Sequence, residues 1–153
     1  MLARILVAVV LLAVAGFVAW RLERRKPAPP PRDVSPVPRQ LDRADFPRPE
    51  APWLVALFSS TRCDSCQGMA AKVAVLESHD VAVCDVTDEQ QRDVHQRYEI
   101  AGIPTTVIAD AEGVVQAAFF GSASATDLWA AIAELRNPGS TPEPELGRTS
   151  PTR

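Results

Sequence analysis

Trp53-Leu54-Val55-Ala56-Leu57-Phe58, then Cys63-Asp64-Ser65-Cys66, then Gly102-Ile103-Pro104-Thr105 are the segments that decide the fold. The first is a short apolar run bounded by Pro52 and the Ser59-Ser60-Thr61 cluster, which suits a strand buried on both faces. Met69, Val73 and Leu76 follow at helical spacing from Asp64 to about Ser78, so Cys63 falls at a helix N-terminus. A second strand reads over Val81–Val86. Thr87 with Gln90 three residues later has the form of a capping box opening a helix that runs to about Tyr98. Thr105–Ala109 and Val114–Phe120 are β-rich runs joined by Asp110-Ala111-Glu112-Gly113, a hairpin turn. Ser124 with Asp127 makes another capping box, and Leu128, Ile132 and Leu135 give the closing helix its apolar stripe. The class is α/β, in the order βαβ-α-ββα around a central mixed sheet.

A cysteine at a helix N-terminus has a chemical consequence. Thiolate is the attacking species in disulfide exchange, and free amides of the first helical turn favour the anion. Arg62 adds a cation beside Cys63 while Asp64 opposes it, so both are expected to modulate the Cys63 thiol. Cys66, one turn on, is placed to resolve a mixed disulfide.

Together the strand before Cys63-Asp64-Ser65-Cys66, the run Tyr98-x-Ile100-x-Gly102-Ile103-Pro104-Thr105, and Gly113 and Gly121 around a hairpin resemble the thioredoxin family over roughly residues 51–136. The resemblance implies a thiol–disulfide oxidoreductase with catalytic Cys63 and Cys66. It also implies a cis peptide before Pro104, where the Ile103 main chain would pair with an extended substrate segment. Protein thiols or disulfides are then the partners. Three departures bear on the chemistry: Arg62 replaces the family's usual tryptophan, Asp64-Ser65 its Gly-Pro, and Leu57 its buried acid. A carboxylate at position 57 would help the resolving thiol lose its proton, so that step falls to another group. The competing function is a non-catalytic binding or redox-sensing module on the same fold.

The remaining candidates are weaker. Cys84 reads as a small buried hydrophobe, and a zinc site from Cys63, Cys66, Cys84 and His79 or His95 lacks a second paired motif, so no metal is expected. His79 reads as a turn residue and His95 as an exposed helix residue. Trp53, Phe119, Phe120 and Trp129 have no glycine-rich phosphate loop beside them, so no nucleotide or flavin cofactor is implied. A net charge of -3 with both signs interspersed excludes a phosphate-binding face, hence nucleic acid.

Outside the core the composition changes. Leu2–Trp20 is apolar except for Arg4 and spans about 28 Å as a helix, close to the hydrocarbon core of a bilayer. Residues 1–20 are therefore expected to be a single-pass transmembrane anchor, with cleavage after Ala13-Val14-Ala15 as the competing reading. Arg21, Arg24, Arg25 and Lys26 outnumber the N-terminal positive charges, which places the domain on the cytoplasmic side, with the extracytoplasmic side as the alternative. A membrane electron donor or reductase becomes a candidate partner. Residues 21–50 read as a basic, Pro-rich linker, with Pro27–Pro52 a semi-rigid spacer, and residues 137–153 as a disordered tail.

Overall fold

The computed structural model describes residues 37–141 and Gly147. Four strands and three helices follow in the order β1 (Trp53–Ser59), α1 (Asp64–Ala74), β2 (Val81–Thr87), α2 (Arg92–Arg97), β3 (Thr105–Ala109), β4 (Val115–Phe120) and α3 (Ala125–Arg136). The sheet runs β2-β1-β3-β4, with β1 parallel to β2 and antiparallel to β3, and β3 antiparallel to β4. This is the expected βαβ-α-ββα mixed sheet.

Strand β1 lies at the centre because its residues are apolar on both faces. Val55 and Leu57 pack with Met69, Val73, Leu128 and Ile132 beneath α1 and α3. Leu54, Ala56 and Phe58 pack on the other face with Val94, Tyr98 and Phe46. A residue buried from either side can bear no unpaired polar group, and β1 fills its ladder with partners on both edges.

The hairpin turn forms as read. Asp110 Oδ1 accepts the amides of Glu112 and Val114 at 3.1 and 2.8 Å. Gly113 takes φ +80°, and a Cβ there would lie 2.0 Å from the Leu41 carbonyl oxygen, so both conformation and space require glycine. The closing capping box is also present: Ser124 Oγ accepts from Asp127 N, and the Asp127 carboxylate accepts from Ser124 N.

Several expectations need correction. The spacer reading fails from Leu41 onward, where Leu41 and Phe46 enter the core and Arg43–Asp45 forms a 3-10 turn. Gln40 makes a bridge with Val114, so this segment lies along the hairpin. Buried Arg43 fastens it, donating to the carbonyls of Ala51, Asp110 and Arg48 at 3.0, 2.9 and 3.2 Å. Helix α2 begins at Arg92 with no side-chain cap, because Thr87 ends β2 and its carbonyl accepts from Gln90 and Gln91 in a turn. His95 is buried rather than exposed, its Nε2 2.8 Å from the Val86 carbonyl and its ring edge-on to Phe58. Past α3, the Glu134 carboxylate accepts from Gly139 N, Thr141 N and Thr141 Oγ1, and the Gly147 carbonyl accepts from Ala118 N at 2.6 Å on β4. Order thus extends into the region read as a disordered tail.

The expected transmembrane helix over residues 1–20 lies outside the described residues, as does the basic cluster Arg21–Lys26. Among the described residues no helix is long and apolar enough to cross a membrane. The single-pass anchor, and the membrane partner and cytoplasmic-side placement that go with it, thus find no support among the described residues.

Candidate active site

Two loops leave the same end of the sheet. Strand β1 ends at Ser59 and delivers the chain through Ser60-Thr61-Arg62 to Cys63. Strand β3 begins at Thr105, which pairs with Phe58 at that same end of β1, so Ile103 and Pro104 precede it beside the cysteine loop. The chain after β4 joins them, with Gly121 N donating to the Pro104 carbonyl at 2.8 Å. The Ile103–Pro104 peptide is cis.

Cys63 and Cys66 form a disulfide with Cα atoms 5.2 Å apart. Cys63 is the N-cap of α1, and its sulfur accepts the Cys66 backbone N–H at 3.2 Å and lies 3.3 Å from Ser65 Oγ. The Cys66 N–H also donates to the Cys63 carbonyl at 3.1 Å, so the sulfur shares a first-turn donor where a hydroxyl or carboxylate usually serves. In the reduced protein the same N–H and the Ser65 hydroxyl are placed to stabilise a Cys63 thiolate. Exposure separates the two cysteines: Cys63 is partly exposed, whereas Cys66 is 1 % exposed.

The other sequence candidates divide. Arg62 and Asp64 flank Cys63 and are both exposed. Ile103 is 37 % exposed and Pro104 is buried, so of the two it is the isoleucine that reaches the surface. Phe120, 43 % exposed, covers Gly102 so closely that a Cβ on that glycine would lie 2.5 Å from its ring. Phe120 was read only as a surface or core aromatic, and its place one residue before Gly121 was the available signal. Leu57, where the resemblance expected an acid, is fully buried on the α1 face. Its partner across the ladder is Asp85, exposed and bound by the Ser59 hydroxyl.

Glu89 was missed by the sequence reading. It stands in the turn after β2 and accepts from Ser60 Oγ at 2.6 Å and Thr61 N at 3.1 Å. These bonds, the Ser60 hydroxyl first, hold its carboxyl down at about 2.

The cysteines and histidines do not converge. Cys84 pairs with Ala56 and packs against the face opposite α1, and burial, followed by nearby Asp85, raises its thiol pKa. His79 is exposed against Asp80, and His95 is tied to Val86. Among the described residues no cluster of three or more such side chains could hold a metal ion.

These features agree with the comparisons. The thioredoxin family profile matches residues 44–134, more than half of the chain, and the chain belongs to the thioredoxin family. Among solved structures it is similar to the germline-specific thioredoxin Deadhead of Drosophila melanogaster, at 24 % identity and TM-score 0.50, covering 57 % of this chain and 84 % of that one. It is similar also to a mutant thioredoxin from Halobacterium salinarum, at 22 % identity and TM-score 0.52, covering 78 % and 99 %. Both likenesses support the fold. No curated protein matches the sequence. The Cys63–Cys66 disulfide within this fold is a thiol–disulfide oxidoreductase active site.

Proposed function

We propose that the domain exchanges disulfides with protein substrates, Cys63 attacking and Cys66 resolving. The observation that carries this is the contrast between a partly exposed Cys63, its sulfur bound by a helix-terminal N–H, and a buried Cys66. In the reductive direction, the Cys63 thiolate attacks one sulfur of a substrate disulfide and expels the other as a thiolate. Cys66 then loses its proton and attacks the Cys63 sulfur, closing the intramolecular disulfide and releasing the second substrate thiolate. Two electrons pass from the cysteine pair to the substrate, and a small dithiol restores the pair. The reverse sequence oxidises a substrate dithiol.

Arg62 favours the Cys63 anion and Asp64 disfavours it, so the pair sets the balance between the directions. The exposed Ile103 with its main chain before Pro104, extended by Phe120, is the surface against which a substrate strand lies. Deprotonation of Cys66 has no carboxylate at Leu57 to assist it, which leaves water or the departing substrate thiolate to take that proton.

The test is dithiothreitol-driven insulin reduction by the full chain. Cys63→Ser should abolish turnover, and Cys66→Ser should accumulate a mixed disulfide between substrate and Cys63. Turnover that survives Cys63→Ser, or adducts that form on Cys66 in preference to Cys63, would reverse or remove these roles.

A further inference from the structure

The loop Ser60–Arg62 carries Cys63, yet its internal hydrogen bonds are few. The Cys63 N–H donates to the Ser60 carbonyl at 3.2 Å, and the Arg62 N–H donates to Ser60 Oγ at 3.2 Å. Both fold the loop upon Ser60, so whatever holds Ser60 holds Cys63. Ser60 is held from outside by Glu89. One carboxylate oxygen takes the Ser60 hydroxyl and the other takes the Thr61 N–H, so the anion grips two consecutive residues. Because the Ser60 proton is committed to Glu89, a lone pair of Ser60 Oγ is turned toward the Arg62 N–H. The amides of Thr61 and Arg62 are thus both occupied, and the Cys66 N–H is shared between the Cys63 carbonyl at 3.1 Å and the Cys63 sulfur at 3.2 Å.

We propose that Glu89 is a positioning residue for the redox pair, clamping Ser60 and Thr61 so that the Cys63 sulfur stays against the Cys66 N–H when the disulfide is open. This deepens the exchange reading above and rests on it. In the oxidised protein the disulfide itself closes the loop, so the clamp matters most in the dithiol form. Its loss should therefore weigh on the reduced state more than on the fold, since Glu89, Ser60 and Thr61 bond to one another at the surface.

Geometry and charge predict opposite signs. Removing an anion near Cys63 by charge alone would favour its thiolate, whereas loosening the loop would weaken the contact of that thiolate with the helix-terminal N–H. Glu89→Ala removes both the charge and the clamp. Glu89→Gln removes the charge but keeps a side chain able to accept from Thr61 N–H and to donate to Ser60 Oγ.

The experiment measures the dithiol–disulfide equilibrium of the full chain against glutathione and the iodoacetamide alkylation rate of Cys63, with melting followed by circular dichroism. Loss of about one ordinary hydrogen bond's net contribution, weakened rather than broken at a charged acceptor, predicts that Glu89→Ala moves the equilibrium about fivefold toward the disulfide and slows alkylation by a similar factor. Glu89→Gln should restore both to near the wild-type values. Ser60→Ala should act like Glu89→Ala, and the double variant should be no worse than either alone, since the two groups form one unit. Faster alkylation in Glu89→Ala would overturn the clamp in favour of plain electrostatics, as would a Glu89→Gln protein as impaired as the alanine variant. If Glu89→Ala does not fold, Glu89→Gln and Ser60→Ala decide the matter by the same readings. Neither reading requires substrate turnover, so a chain inactive toward insulin would defeat the proposed function while leaving this test able to run.

Discussion

Ser65 occupies the position where the family's pattern has proline, and its hydroxyl lies 3.3 Å from the Cys63 sulfur. A proline could donate nothing there; the serine can donate to a thiolate. Ser65→Ala deletes that donor while leaving the Cys66 N–H in place. Hydrogen bonds to charged groups contribute roughly 1.5–3 kcal/mol, and an exposed hydroxyl beside a large sulfur acceptor belongs below that range, at about 1 kcal/mol. At 25 °C about 1 kcal/mol is close to a fivefold change in an equilibrium constant, so at a pH below the thiol's midpoint about five times less thiolate should be present. The assay is iodoacetamide alkylation at pH 6 in a Cys66→Ala, Cys84→Ala background, where only Cys63 reacts. The same loss of thiolate stabilisation shifts the reduction potential of the intact cysteine pair by about 20 mV in the negative direction where the thiolate is populated. An unchanged or faster alkylation rate would show that the hydroxyl points to solvent in the dithiol state and would refute the reasoning.

Two further predictions concern the scaffold. Tyr98 donates to the Asp45 carboxylate and accepts from Asp42 N, and burial, followed by that bond to Asp45, pushes its phenol up to about 12. A raised folded-state pKa means the contribution is complete below about pH 10 and is lost as pH climbs toward 12, on the order of 1–2 kcal/mol, so urea midpoints should fall across that window and Tyr98→Phe should flatten the fall. Arg43→Met should destabilise the domain by roughly 2–4 kcal/mol, because three carbonyls lose a buried cationic donor, and the check is the urea midpoint at constant slope.

What the sequence revealed and what it hid follow one physical division. Strand β1, the Asp110–Gly113 turn and the Ser124 cap were legible because each is decided by neighbours within a few residues. His95 was misplaced because the acceptor that lets it enter the core, the Val86 carbonyl, belongs to β2, and only the packed fold brings the two together. The Thr87 and Gln90 pair had the spacing of a capping box, but the parallel ladder with β1 claimed Thr87 as strand. Leu41 and Phe46 were hidden among prolines, where no periodicity can show. At the site, the Cys63–Cys66 pair was legible through motif and position, and the cis bond between Ile103 and Pro104 is the one the resemblance implied. Glu89 sits 26 residues from Cys63 in sequence and carries no motif, so its part depends on a turn that only the β1–β2 pairing brings alongside the cysteine loop.

The carboxylate of Glu134 has a bearing on where the domain can be cut. It sits in the last turn of α3, at the end of the helix dipole that disfavours an anion, and is nonetheless buried. Two backbone N–H groups and one hydroxyl from Gly139 and Thr141 make that tolerable and, with the Gly139 N–H foremost, lower its pKa. The helix periodicity stops at Arg136, and a chain terminated there would keep the acid but lose every one of those donors. The side chain would have to swing into water, leaving the core beneath it short of a cover, or take up a proton. A recombinant boundary, a fusion joint or a protease nick placed before Thr141, five residues past the point where the helix itself ends, consequently strips the acid of its donors.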